Sequence, residues 1–209
     1  MKYSLAFISF LFIPTLFAQE VEREMIEYDG GFDFNEGIYR NFEEFKNNEP
    51  YFKVGSIQDK QGNRTPEMWR EHEELYYPDE GKELQRIDEN NVWGYCYRDA
   101  VHIRVNATFE RVVVIGSLCH FLGTATSYSS DPFSYSGNSR QVVQQQYFID
   151  METGGTFEFN IENMSSILER DEILFGQFED IPRKKKKDVL FLYLRKYNDR
   201  YPLYFPFEH

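Results

Sequence analysis

The sequence predicts one α+β domain, built on a twisted antiparallel sheet of about six to eight strands with helices gathered near its C-terminus. Three observations predict it. β-prone runs fill residues 92–125 and 142–160, the hydrophobic period lengthens from two to about 3.6 after residue 160, and 20 Phe, 15 Tyr and 2 Trp among 209 residues supply the rings for one substantial core. A closed lipocalin-like β-barrel is the alternative, and it needs its helices outside this strand order.

Residues 1–18 carry one charge, Lys2, then the apolar run Leu5 to Ile13, Pro14 and a Leu16-Phe17-Ala18 end, the pattern of a secretory signal peptide cleaved after Ala18. The run is shorter than the roughly 20 residues a membrane-crossing helix requires, and no later run is apolar enough. The expected product is exported, periplasmic or secreted, soluble and without a transmembrane anchor. Its net charge of −12 argues against nucleic-acid binding, which needs a basic face.

Residues 19–36 are acidic and punctuated by Gly, and read as an extended lead-in to a single domain over 37–209. Asn41 is placed to cap a short helix through Phe45 and Lys46, with Glu43 and Glu44 in its first turn, where the helix dipole favours acids. Asn47-Asn48-Glu49-Pro50 ends it. A strand over 51–57 and a turn over 59–63 follow, then a charged stretch, 64–82, and a short strand over 83–87. Val92–Arg98 and Val101–Asn106 make a hairpin turning at Asp99-Ala100, with Cys96 opposite Ile103 and Tyr95 opposite Arg104. One face then carries Gly94, Cys96, Val101, Ile103 and Val105. The other carries Trp93, Tyr95, Tyr97, His102 and Arg104.

The run 109–125 reads as one central strand bent or bulged at Gly116, and 126–140 as a polar loop. Val142–Asp150 and Thr156–Asn160 bracket a hairpin turn. Asn163 is placed to cap Met164–Glu169, a further helical segment covers 172–178, and a last helix over about 183–199 presents Leu190, Tyr193, Leu194 and Tyr197 on one stripe. The tail 201–207 is Pro-spaced and apolar, so it packs back on the domain.

Gly37-Ile38-Tyr39 with Phe42 to Pro50, Val92-Trp93-Gly94-Tyr95-Cys96, Asp150 to Gly154, and Arg195 to Pro202 together resemble a family of exported bacterial proteins of unknown function from the Bacteroidetes. The resemblance implies an exported α+β domain with an antiparallel sheet and C-terminal helices. It supplies no catalytic residue. Many members have Asp-Gly where this chain has Arg98-Asp99-Ala100.

Catalytic motifs are missing from the sequence. His72-Glu73 has Tyr76 where a zinc helix needs its second His, and the calcium-like spacing from Asp33 to Glu44 has Ile38 at the position that should be Gly. Cys96, His102, Cys119 and His120 are metal-competent types, but adjacent residues of a strand face opposite ways. Cys96 and Cys119 are therefore either one disulfide or two buried thiols. No cofactor or metal is expected. The basic run Arg183, Lys184, Lys185, Lys186 and Lys187 is either a solvated helix start or a patch for an anionic partner.

The face of Trp93, Tyr95, Tyr97, His102 and Arg104 has the chemistry to stack a sugar or peptide and pair its carboxylate, or else it is a second core layer. The leading expectation is a non-enzymatic envelope or secreted interaction protein whose partner is an envelope protein, peptide or glycan. The rival is a hydrolase of envelope polymers using Glu71, Glu74 or Asp79.

Overall fold

In the computed structural model of the protein, residues 23–64, 74–129 and 139–207 are described. The signal-peptide segment, the zinc-like segment at His72 and the candidate Glu71 lie outside them. The chain is α+β. Its main sheet has eight antiparallel strands in the order β11 (Thr156–Glu158), β10 (Ser139–Asp150), β9 (Leu118–Ser129), β8 (Thr108–Val114), β7 (Ala100–Val105), β6 (Gly94–Tyr97), β2 (Gly37–Tyr39) and β3 (Phe52–Lys53). The sheet is open, with β11 and β3 as its two edges, so the barrel alternative is set aside. Two small pairs stand beside it: β1 (Met25–Glu27) with β12 (Tyr204–Pro206), and β4 (Tyr76–Pro78) with β5 (Leu84–Arg86).

Both faces of the sheet are covered, because its strands alternate apolar side chains to both sides. On one face, Tyr39, Cys96, Val101, Ile103, Cys119, Phe121 and Ile149 meet helix α1 (Phe42–Lys46), the lead-in and the tail. The opposite face is covered in two parts. Leu118 and Phe148 pack under α2 (Ile161–Leu168), α3 (Glu172–Glu179) and α5 (Leu190–Arg200). Ile38 and Tyr95 pack under Phe52, Ile57, Leu75, Ile87 and Val92.

The lead-in begins the folded structure earlier than position 37. β1 pairs with β12, Phe34 is buried, and Tyr28 and Phe32 pack on the same cluster, because the ring-bearing positions of 28–34 find the tail's Phe205 as their partner. Asn41 caps α1, accepting from the Glu44 N–H at 2.9 Å. The β6–β7 turn is Arg98-Asp99, both with φ near +50°, so Cys96 faces Val101 and Tyr95 faces His102. This is two residues from the expected register, an even shift that still sets Tyr95 and His102 on one face.

The run 109–125 is two strands rather than one. Ile115-Gly116-Ser117 reverses the chain, and the Asn198 side chain holds the turn by accepting from the Leu118 N–H at 2.8 Å and donating to its carbonyl at 3.0 Å. A Cβ on Gly116 would lie 2.3 Å from Asn198 Nδ2. Strands β9 and β10 also extend into the stretch read as a polar loop, pairing through Ser129 and Ser139. The α2 cap is Asn160, three residues before the expected Asn163, whose N–H it accepts at 2.9 Å. Asp171 caps α3, and the last helix divides into α4 (Arg183–Lys186), a 3₁₀ turn and α5. Leu190, Tyr193, Leu194 and Tyr197 are its buried stripe.

Candidate functional site

The alternation of side chains breaks at Gly94. This residue passes so close to β7 that a Cβ would fall 2.4 Å from the His102 carbonyl oxygen, and Trp93 turns to the face opposite Tyr95. There its ring stacks on Phe45 at 4.8 Å and meets Phe42 at 5.9 Å. Tyr95 is buried on the other side, stacked on His102 at 4.6 Å with 11° between the planes, and edge-on to Phe109. The expected binding face is thus divided. Trp93 belongs to one core layer and Tyr95 to another, with the half-buried Tyr97 beside it. Burial holds the His102 imidazole below its usual pKa, against a contact of 3.2 Å between Nδ1 and the Ala100 carbonyl oxygen. Arg104 is tied to Asn90 at 2.8 Å, and its Nε is buried without a partner among the described residues.

The layer around Tyr95 does reach the surface, one step to the side. Phe52 stands 4.4 Å from Tyr77 and 4.6 Å from the exposed Tyr51, and with Arg40, Arg86 and Asn91 these rings line a groove of about 370 Å³ at the β3 edge. Arg40 lies over Tyr51, its guanidinium carbon 3.1 Å from the ring centroid. Its guanidinium also donates to Glu44 at 2.8 and 2.9 Å, which fixes it in place. Arg86 reaches Glu74 at 3.3 Å and stays largely in water. Asp88 holds the groove wall by accepting from the Asn90 N–H at 3.0 Å and from the Asn91 side chain at 3.2 Å. These residues come from four separated segments. The only sequence signal that pointed there was the ring pair Tyr51-Phe52, read as part of a strand.

A larger groove of about 540 Å³ lies between α2, α3 and α4, and apart from Glu169 its charged lining residues pair with one another. Lys186 is buried, donates to Glu179 at 2.5 Å and sits 4.7 Å over the Phe178 ring, and Arg183 pairs with Glu162 at 2.9 Å. The expected anionic-partner patch of Arg183 to Lys187 is therefore reduced to Lys184, Lys185 and Lys187, exposed side chains that make no ion pair among the described residues.

Cys96 and Cys119 are free thiols buried in one cluster, where β7 and β8 separate their strands in the sheet and a disulfide would need Cα atoms within about 7 Å. Burial, with the Glu36 and Asp99 carboxylates nearby, pushes the Cys96 thiol up to about 12; burial pushes Cys119 to about 12 as well. A thiol reagent at neutral pH is expected to label neither in the native protein and both after denaturation. Rapid native labelling would contradict this packing. Cys119 and His120 do face opposite ways, His120 lying between the Phe159 and Phe191 rings. Among the described residues no three His, Cys, Asp or Glu side chains form a metal-ligand group, and no helix is long and apolar enough to cross a membrane.

Of the rival's carboxylates, Glu74 accepts from the Tyr76 hydroxyl at 2.8 Å and faces Arg86, and both hold its pKa below the usual value. Asp79 accepts from the Glu83 N–H at 2.9 Å and closes the β4–β5 turn. The Glu74 environment is the opposite of the one that raises a carboxyl toward general-acid duty. No family model matches the chain, and comparison with curated proteins and with solved structures likewise gives no match.

Proposed function

We propose that the chain is an exported, non-enzymatic binding protein that takes a saccharide bearing a single carboxylate in the Tyr51–Arg86 groove. The observation that carries this reading is the ring pair of exposed Tyr51 and half-buried Tyr77, flanked by two guanidinium groups in a chain of net charge −12. Rings offer an apolar platform to a pyranose face, the N–H groups that Arg40 and Arg86 do not give to Glu44 and Glu74 can pair a carboxylate, and Asn91 is a hydroxyl partner. The acidic surroundings disfavour a polyanion, so one terminal acid is the fitting charge. Glu74 and Asp79 serve as an ion-pair partner and a turn closure, which is why binding rather than hydrolysis is preferred.

Isothermal titration with a trisaccharide ending in glucuronic acid, beside its glucose analogue, tests the reading. The acidic sugar is expected to bind and the neutral one to bind at least about tenfold more weakly, since a charge-assisted hydrogen bond contributes about 1.5–3 kcal/mol. Tyr51→Ala and Arg86→Ala are each expected to weaken binding about tenfold while changing unfolding stability by no more than about 1 kcal/mol, because both side chains are more than half exposed. Equal affinity for the two sugars, or affinity indifferent to both substitutions, would sink the proposal.

A further inference from the structure

Ahead of Gln146 the outer edge of β10 pairs with no strand among the described residues. β11 covers β10 only at Tyr147–Ile149, and the Phe159 N–H reaches the Gln146 carbonyl at 2.8 Å. Alternate residues of a strand turn their backbone groups to the same side, so Arg140, Val142 and Gln144 direct their N–H and C=O groups to the open edge, while the odd-numbered residues face β9. No described residue pairs with that stretch. Sheet edges are ordinarily protected by charge, proline or brevity. The opposite edge, β3, follows this pattern, with two residues and Lys53. The β10 edge instead carries Val142, 68% exposed, beside the exposed Val143 and Gln144, with Leu122 exposed on β9.

Charge selects the occupant. From Val112 to Ile149 the only charged side chains in the sequence are Asp131 and Arg140, although 28% of the whole chain is charged. Two copies of a chain with net charge −12 repel wherever their acidic surfaces meet, and this strand pair is the stretch where they approach without that cost. We propose that two copies associate through their β10 edges, antiparallel about a two-fold axis at Val142.

The register follows from the same residues. An axis at Arg140 sets two guanidinium-bearing positions directly opposite each other, which is destabilising. An axis at Gln144 requires the Gln146 carbonyl, which Phe159 already occupies. An axis at Val142 sets Val142 against its own copy and Arg140 against Gln144, joins the edges by backbone bonds at all three outward-facing positions, and buries a β-branched pair that is now in water. So short a pairing belongs to the reversible class of interfaces rather than the obligate one.

Sedimentation of the full chain across a concentration series is expected to show a reversible monomer–dimer equilibrium. Val142→Lys, which sets two ammonium groups at the axis, should weaken it by at least about tenfold, and Val142→Thr, β-branched and uncharged, should hold it within about threefold. A benzophenone amino acid at position 142 should crosslink the dimer between the two copies of β10, as read by mass spectrometry of the joined peptides. A monomer at all concentrations up to about 1 mM, a dimer indifferent to Val142→Lys, or crosslinks confined to other segments would each overturn the proposal. Because Val142 is exposed, circular dichroism of the Lys variant should be that of the parent; a loss of fold in both variants would overturn the placement of Val142 on an open edge.

Discussion

Phe205→Ala is expected to lower unfolding stability by about 3–5 kcal/mol, the range for emptying a buried aromatic site. Phe205 is fully buried, with Phe32 and Phe34 at 5.0 Å, Phe45 at 5.7 Å and Tyr28 at 6.1 Å. It is therefore the point at which the C-terminal tail, the lead-in and α1 meet. The ring-to-ring geometry adds to the loss, since edge-to-face and stacked aromatic pairs contribute about 0.5–1.5 kcal/mol beyond the area they bury. Denaturant titration gives the value as a shift in midpoint at constant slope. A change below about 1 kcal/mol would mean that the tail does not cover this face of the sheet.

Asp150→Asn is expected to cost about 3 kcal/mol, toward the lower end of what breaking a buried ion pair removes. Asp150 is buried at the end of β10, where it accepts from Arg170 at 2.8 and 3.1 Å, from the Thr153 hydroxyl at 2.7 Å and from the Glu152 N–H at 3.1 Å. Arg170 keeps about a third of its side chain in water, so its charge is partly hydrated when the partner is lost, which moderates the penalty. Burial alone would raise the carboxyl, but the hydrogen bonds and the guanidinium outweigh it and hold the pKa below the ordinary value. A depressed carboxyl stabilises the fold fully above its unfolded pKa, about 3.9, and this contribution is lost as pH falls through the folded value. The parent should thus lose stability more steeply than the Asn variant below about pH 4. Parallel stability curves over that range would contradict the pairing.

Local chemistry made several elements legible in the sequence. Asn41 announced α1 because its side chain meets an N–H three residues away, and the 190–197 stripe announced α5 because the helix repeat alone sets it. The failures share a cause, which is that a distant residue decides a local conformation. The turn at Ile115-Gly116-Ser117 lies inside an apolar run and is held by Asn198, and by the Ser117 hydroxyl donating to the Tyr201 carbonyl, so from the sequence Gly116 reads only as a bend or bulge and not as a reversal. Arg98 and Asp99 both adopt positive φ without a glycine, and a turn sought one residue further along moved the register by two.

The ring face suffered the same way. Its strand alternation was read correctly for Tyr95 and His102, which stack, but the close crossing at Gly94 sends Trp93 to the other layer. The groove that carries the proposed function was out of reach of periodicity altogether, since it is assembled from Arg40, the β3 ring pair, β4 and β5. In the sequence, rings stood beside a guanidinium at Trp93 to Arg104, and nothing in it gave the groove as an address.

The most direct test of that address is an amide and side-chain chemical-shift titration with the glucuronic-acid trisaccharide. The account predicts saturable shifts at Arg40, Tyr51, Tyr77, Arg86 and Asn91, with the Trp93 indole unmoved. Shifts centred on Trp93 or on the α2–α4 groove, with the Tyr51–Arg86 groove silent, would contradict it.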